Sequence, residues 1–291
     1  MRGRKEQRGR MNEGGFTVVE LLVYLFVAVI VVAGVYNLMI GQNRLYMKQR
    51  ELQDVRTSLR AAANLLAFEF RQASASGGDL DSIGTYDIIL RSVQGTGVVC
   101  GIHNSSARLG VYNTGGDFTA TTDDSAMVFV AGGSGTGDDT WFVGGIAGKY
   151  DPSAGGVPDC QWSGVSASPD LVVAVDTPLT ELTGVEIGAP YRQFRMIHYG
   201  LYLDADGRWW LGRKIGGAAS WERLTGPLSA PSDSGLALLY YDASGNPTAD
   251  PTLVRMVDIV LRGESYGKVP TAGGGPVVQE DTLTLRVSLR G

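Results

Sequence analysis

The chain is poor in the residues that build metal and redox chemistry. It has two cysteines, Cys100 and Cys160, and two histidines, His103 and His198, all widely separated. A structural zinc site needs four ligands at short, recognisable spacings, so none is expected, and no cofactor is expected either. Proline is missing from the first 151 residues, which leaves a long N-terminal helix free of its usual breaker. Positive charge is also scarce: Asp and Glu outnumber Lys and Arg by 30 to 25, for a net charge of −5. That balance argues against a general polyanion-binding surface, and nucleic acid is not expected as a partner. No P-loop, nucleophile motif or paired-carboxylate constellation stands out. Gly132–Gly137 lacks the Lys-Ser/Thr pair that a phosphate loop requires. The chain therefore reads as a structural protein and not an enzyme.

What charge there is falls unevenly. Arg2, Arg4, Lys5, Arg8 and Arg10 outweigh Glu6 and Glu13, so residues 1–15 carry +3 and residues 16–291 carry −8. There is one long apolar run. From Phe16 to Ile40 it covers 25 residues, with Glu20 as its only charged side chain. About 20 apolar helical residues cross a bilayer core, so the run is long enough. It exceeds the 7–15-residue core of a secretory signal, and no small-residue cleavage site follows it. A plain membrane anchor would fit the length but not Glu20. A carboxylate inside an apolar span costs on the order of 2.5–3.5 kcal/mol and normally has a partner. Residues 16–40 contain no basic side chain to serve as one. The basic leader is expected to stay cytoplasmic, which places residues 1–15 inside and the large C-terminal part in the periplasm.

The run Gly14-Gly15-Phe16-Thr17-Val18-Val19-Glu20 resembles the N-terminal pattern of the type IV prepilin family. That pattern is a short basic leader ending in Gly, then Phe-Thr-x-x-Glu and a continuous hydrophobic helix. Gly15, Phe16, Thr17 and Glu20 match it position for position. The resemblance implies cleavage between Gly15 and Phe16 by a membrane-embedded prepilin peptidase, which also N-methylates Phe16. It implies that Glu20 pairs with the N-terminal amine of a neighbouring subunit, which would supply the missing partner. The implied partners are the peptidase/N-methyltransferase, other pilin subunits and the inner membrane.

Beyond the span, Leu45, Leu52, Val55, Leu59, Ala62, Leu66 and Phe70 recur at helical spacing, an amphipathic stripe that core packing explains. The stop is Ala73–Gly78, so the helix is expected from 16 to 73, about 87 Å long. Gly34 and Gly41 are candidate bending points, or plain helix-packing glycines.

Residues 77–291 read as β-rich, which makes the fold α+β: a long N-terminal helix packed on an antiparallel β-rich head. The expected division is leader 1–15, membrane or filament-core helix 16–40, amphipathic continuation 41–76 and head 77–291. Candidate strands are 88–93, 126–130, 171–176, 193–203, 208–214, 236–241, 253–261 and 282–290. The last alternates Leu283, Leu285, Val287 and Leu289 with polar residues, a half-buried strand by its period of two. Asp204-Ala205-Asp206-Gly207 reads as a hairpin turn and not a calcium loop, which needs more oxygen ligands. Asp123-Asp124 and Asp138-Asp139 read as solvated loop charges. Gly-, Ser- and Asp-rich stretches between about 110 and 170 read as loops. The tryptophans Trp141, Trp162, Trp209, Trp210 and Trp221 read as core or sheet-packing aromatics, with an adhesive surface as the alternative. In an oxidising compartment Cys100 and Cys160 either pair, which would add about 4 kcal/mol in the chain-entropy model, or remain two buried thiols.

The C-terminal half is similar, by order of pattern, to the head of PilW-family minor pilins and of J-type pseudopilins of type II secretion. The similarity runs through Ile197–Tyr202, Trp209–Arg213, Leu236–Tyr241 and Leu253–Arg262, with helix segments 53–60 and 70–73. The reading is a minor pilin acting in assembly or initiation of a type IV pilus. The alternatives are a J-type secretion pseudopilin and a tip adhesin or DNA-uptake pilin.

Overall fold

Thr17 opens the helix. Its extended backbone and side-chain oxygen cap the first turn, accepting a hydrogen bond from the Glu20 backbone N–H at 3.3 Å. With no proline to stop it, helix α1 runs unbroken from Val18 to Gln72, 55 residues and about 83 Å. Gly34 and Gly41 are both helical, and a Cβ at either would meet nothing within 4 Å. Arg71 in the last turn offsets the terminal carbonyls, and Ala73 turns extended to end the helix. The computed structural model describes residues 17–103, 107–118, 124–132, 140–151, 159–162, 165–175, 184–271 and 274–290. The leader with Gly15 and Phe16, residues Asp123, Asp138 and Asp139, and the glycine-rich stretches 133–139 and 153–156 lie outside them.

Only the second half of α1 is packed. Val55, Leu59, Ala62, Ala63, Leu66, Ala67 and Phe70 are buried, at the three- and four-residue steps of one helix face. Leu45, read from the sequence as part of this stripe, is 57% exposed, so docking begins about two turns later. The buried face lies against strands β11 (Glu222–Leu228), β13 (Met256–Val269) and β14 (Val277–Ser288). With Leu90, Tyr199, Leu236, Ile259 and their neighbours it forms one apolar core.

A second core stands apart, built from Val99, Leu109, Val111, Phe118, Ala126, Val128, Ile146, Leu171, Val173, Val175, Val185, Ala189 and Tyr191. It fills a barrel. Strand β2 (Asp87–His103) pairs with β3 (Arg108–Gly116), β3 with β8 (Leu171–Val175), and β8 with β5 (Thr140–Tyr150). Strand β5 then pairs with β4 (Asp124–Val130), β4 with β9 (Pro190–Leu203), and β9 returns to β2. Every pair is antiparallel, and the circuit of six strands is closed. Between 110 and 170, where the sequence reads as loops, the chain therefore contributes most of β3, β5 and the short pair β6 (Cys160–Trp162) and β7 (Val165–Ala167). Glycine-rich strands hide their pattern from a reading based on apolar alternation. Here the glycines make room. A Cβ on Gly97 would lie 2.5 Å from Val111 Cγ1, and one on Gly95 would lie 2.7 Å from the Phe118 ring. Phe118 and Tyr191 meet edge to face inside, with ring centres 5.9 Å apart.

The two cores share β2 and β9. The outer sheet continues from the C-terminal half of β9 through β10 (Trp209–Ile215), β11 and β13 to β12 (Leu236–Tyr241), with β14 on the other side of β13. Strand β1 (Leu80–Ile83) pairs with the start of β2. A bulge at Gln94 marks the passage of β2 from one core to the other. Before it, Ile88 and Leu90 point into the helix-backed core, and after it Val99 points into the barrel. One extra residue inverts the alternation, so the inward face passes from even to odd positions. The β2–β9 ladder ends at Val98 and Pro190. Beyond it, Ala189 O accepts from Val99 N–H at 2.9 Å and Val99 O accepts from Gly188 N–H at 2.8 Å. This pair of backbone hydrogen bonds marks the point where the chain leaves β2 for the other barrel strands and returns to β9. Cys100 and Cys160 are joined within this excursion, with Cα atoms 4.7 Å apart.

Because the helix-backed core draws no residue from 100–187, replacing that segment with a short Gly-containing turn is expected to leave it intact. Far-UV circular dichroism and denaturant unfolding of the full chain in detergent check this. A cooperative transition with docked helix is the expected result, and loss of that transition would show that the cores depend on one another. Leu66→Ala, at a fully buried position of the docked face, is expected to cost about 2–5 kcal/mol in the same unfolding measurement.

Candidate filament-assembly site

The N-terminal half of α1 has no cover within the chain. From Val18 to Arg50 every residue is exposed except half-buried Ile40. An 18-residue window of this half reaches a mean hydropathy of 2.8, and it is long and apolar enough to cross a membrane. Surface of this kind is stable only in lipid or against other apolar helices.

Glu20 stands in the first turn of this bare helix. Its backbone is held by the Thr17 cap, and its carboxylate complements the positive helix end. The next cation along the helix is Arg44, 24 residues on and about 36 Å away. No ion pair involving Glu20 occurs among the described residues, so the helix itself offers the carboxylate no counter-charge.

The other half of α1 is locked to the head by polar contacts as well as apolar ones. Tyr199 Oη donates to Glu69 Oε1 at 2.9 Å, and burial pushes the Tyr199 hydroxyl pKa up. Arg56 Nε meets Asp281 at 2.7 Å, Gly267 N–H donates to Glu51 at 3.1 Å, and Ser58 exchanges contacts with Gly226 O and Thr225 Oγ1. Sequence inspection missed these residues. The available signal was a Glu at position 69, between Leu66 and Phe70 of the apolar stripe.

Elsewhere the polar residues singled out in the sequence are used for structure. Asp204 accepts from Gly207 as a turn closes, and Asp206 accepts from Arg208 N–H and Trp210 Nε1. Arg223 lies 3.2 Å from Asp204 and over the Trp210 ring. Asp124 is not a solvated loop charge. Its buried carboxylate holds Arg195 Nε at 2.6 Å and Gln193 Nε2 at 2.9 Å on the neighbouring strand. His198 pairs with Asp87 at 2.9 Å and packs on Trp221, which also stacks on Tyr202. Trp209, Trp210 and Trp221 are half-buried on the sheets and Trp141 is exposed, so none of these four is a core residue. The side chain of Trp162 lies outside the described residues. Among those residues, no group of three or more His, Cys, Asp or Glu side chains is placed to hold a metal ion.

Comparison with known proteins adds one match. No curated protein and no solved structure matches the chain. The family described as the prokaryotic N-terminal methylation motif matches residues 10–36, which include Gly15, Phe16, Thr17 and Glu20. An exposed apolar helix that opens on this motif makes the chain type IV pilin-like, and the motif implies processing by prepilin peptidase and assembly with other pilins.

Proposed function

We propose that the chain is a minor pilin of a type IV pilus, acting in filament assembly or initiation after cleavage between Gly15 and Phe16 and N-methylation of Phe16. The observation that carries this reading is the division of α1. One half is bare and apolar with a lone carboxylate near its start, and the other half is bolted to a large head. A membrane anchor needs only the first feature. A subunit that carries a head into a helical bundle needs both.

In this proposal residues 16–40 sit first in the inner membrane with the head in the periplasm, an orientation supported by the basic leader. The same apolar surface then packs against other pilin helices in the filament. Glu20 pairs with the Phe16 amine of a neighbour, which sets axial register, because a desolvated carboxylate has a low-energy position only opposite that charge. The role is structural throughout, with no chemical step assigned to the head. The PilW-like assignment rests on the order of strands and turns in the C-terminal half. A J-type pseudopilin of type II secretion shares that order, and neighbouring genes for secretion or pilus components separate the two.

Intact mass and N-terminal sequencing of protein from its native membrane are expected to show a chain beginning at methylated Phe16. A retained leader, or a start beyond residue 40, would overturn the assignment. Glu20→Ala is expected to reduce incorporation into filaments by about tenfold or more while head unfolding is unchanged, since loss of one partner from a desolvated pair costs roughly 3–5 kcal/mol. Immunoblots of sheared filaments against whole membranes measure this, and normal incorporation would remove the pairing from the mechanism.

A further inference from the structure

Most arginines packed on the head are matched by carboxylates, among them Arg56, Arg195, Arg213, Arg223, Arg262 and Arg286. Arg71 and Arg290 are not. Neither is within ion-pair distance of a carboxylate among the described residues. They lie far apart in sequence but line one cleft of about 590 Å³, together with Arg192. The fold brings them there by separate routes. Arg71 ends α1. Arg290 follows β14 and is tied to the helix end, because its backbone N–H donates to Ala73 O at 3.1 Å. Arg192 comes from β9, and its guanidinium is 3.6 Å from the buried carboxylate of Asp79. Asp79 is itself held by the Ser74 N–H at 2.8 Å, so the partner of Arg192 is fixed in place. The opposite wall is Gln94–Thr96 and Gly115–Gly116, where the barrel meets the helix-backed sheet. Gly116 has φ +87°, and a Cβ there would lie 2.3 Å from Gln94 O, which keeps this wall low and polar.

We propose that this cleft is a docking site for an acidic peptide segment, two or more Asp or Glu carboxylates presented by a partner protein. Three guanidiniums against one buried carboxylate leave excess positive charge in a concavity of ligand size. Guanidinium forks suit carboxylates, which accept two parallel hydrogen bonds. Arg71 also offsets the helix carbonyls, but that role explains neither Arg290 nor Arg192. The helix rules out a lipid headgroup for the anchored chain, since Arg71 lies about 46 Å along α1 from Ile40. The surroundings disfavour a nucleic acid. Phosphate backbones need an extended basic track, whereas this cleft is isolated on a chain whose residues 16–291 carry −8.

The test uses the full chain in detergent, titrated with a fluorescent hexaglutamate peptide and, in parallel, a single-stranded DNA oligonucleotide. Binding of hexaglutamate that weakens at least about tenfold in the Arg71→Gln/Arg290→Gln double variant is expected. Arg60→Gln, an exposed arginine of α1 outside the cleft, is expected to bind as the unmodified chain does. Added salt should weaken peptide binding steeply in the unmodified chain and only slightly in the double variant. No peptide binding, equal binding by the double variant, or tighter binding of the oligonucleotide than of the peptide would each overturn the proposal.

Discussion

Everything in this molecule is arranged around a helix that must live in two solvents. Its first half exposes Leu, Val, Ile and Phe on all sides, which water cannot tolerate over some thirty residues, as the hydrophobic effect scales with exposed apolar area. Its second half exposes a polar face and buries a stripe of seven residues. The change of surface occurs near Glu51, where the head begins. One unbroken hydrogen-bonded rod therefore couples an environment of lipid or packed helices to a water-soluble body. A carboxylate at position 20 is the single charge between residues 16 and 40.

The head solves a different problem, which is to attach a second folded unit without a flexible linker. Strands β2 and β9 run through both units as one ladder. The bulge at Gln94 shifts the inward positions of β2 from even to odd, while β9 faces both cores with odd positions, Ile197 and Tyr199 in one and Tyr191 in the other. Buried Asp124 bridges to Arg195 and Gln193 across β4 and β9, close to the point where the ladder passes between the units. A hydrogen-bonded buried pair of this kind contributes little net stability but is costly to mispair, so it disfavours slipped registers of β4.

The parts legible in the sequence are those with strong periodicity or a spaced motif. The apolar run, the stripe from Val55 to Phe70, and the alternation of Leu283, Leu285 and Val287 each carry their own geometry. Strand β12 falls at 236–241, where its apolar run places it. Of the barrel, β4, β8 and parts of β2 and β9 were legible as strands at 126–130, 171–176, 88–93 and 193–203; β3, β5 and the closure were not, because glycines such as Gly110 and Gly144–Gly145 interrupt the alternation that a strand normally shows. The small size of Gly95 and Gly97 admits the ring of Phe118 and that of Gly144 the ring of Phe142, so the feature that hides these strands is also what lets them pack. Aspartate 124 was opaque for a similar reason: a carboxylate beside another in sequence looks solvated until the fold supplies Arg195 from 71 residues away. Of the assembly site, Glu20 was conspicuous as a lone charge. The contacts of Glu51, Arg56 and Glu69 were not, since their partners Gly267, Asp281 and Tyr199 are distant in sequence.

The spread of those contacts along α1 has a mechanical consequence. Glu51, Arg56, Ser58 and Glu69 grip the head over about five turns, and the Ala73–Arg290 bond closes the series. A tensile load applied along the helix axis would strain all of these attachments together, in shear, instead of peeling them apart one by one. Resistance to such a load is a matter of the unfolding rate under force and not of equilibrium stability alone. The stem and the head would then yield as one part.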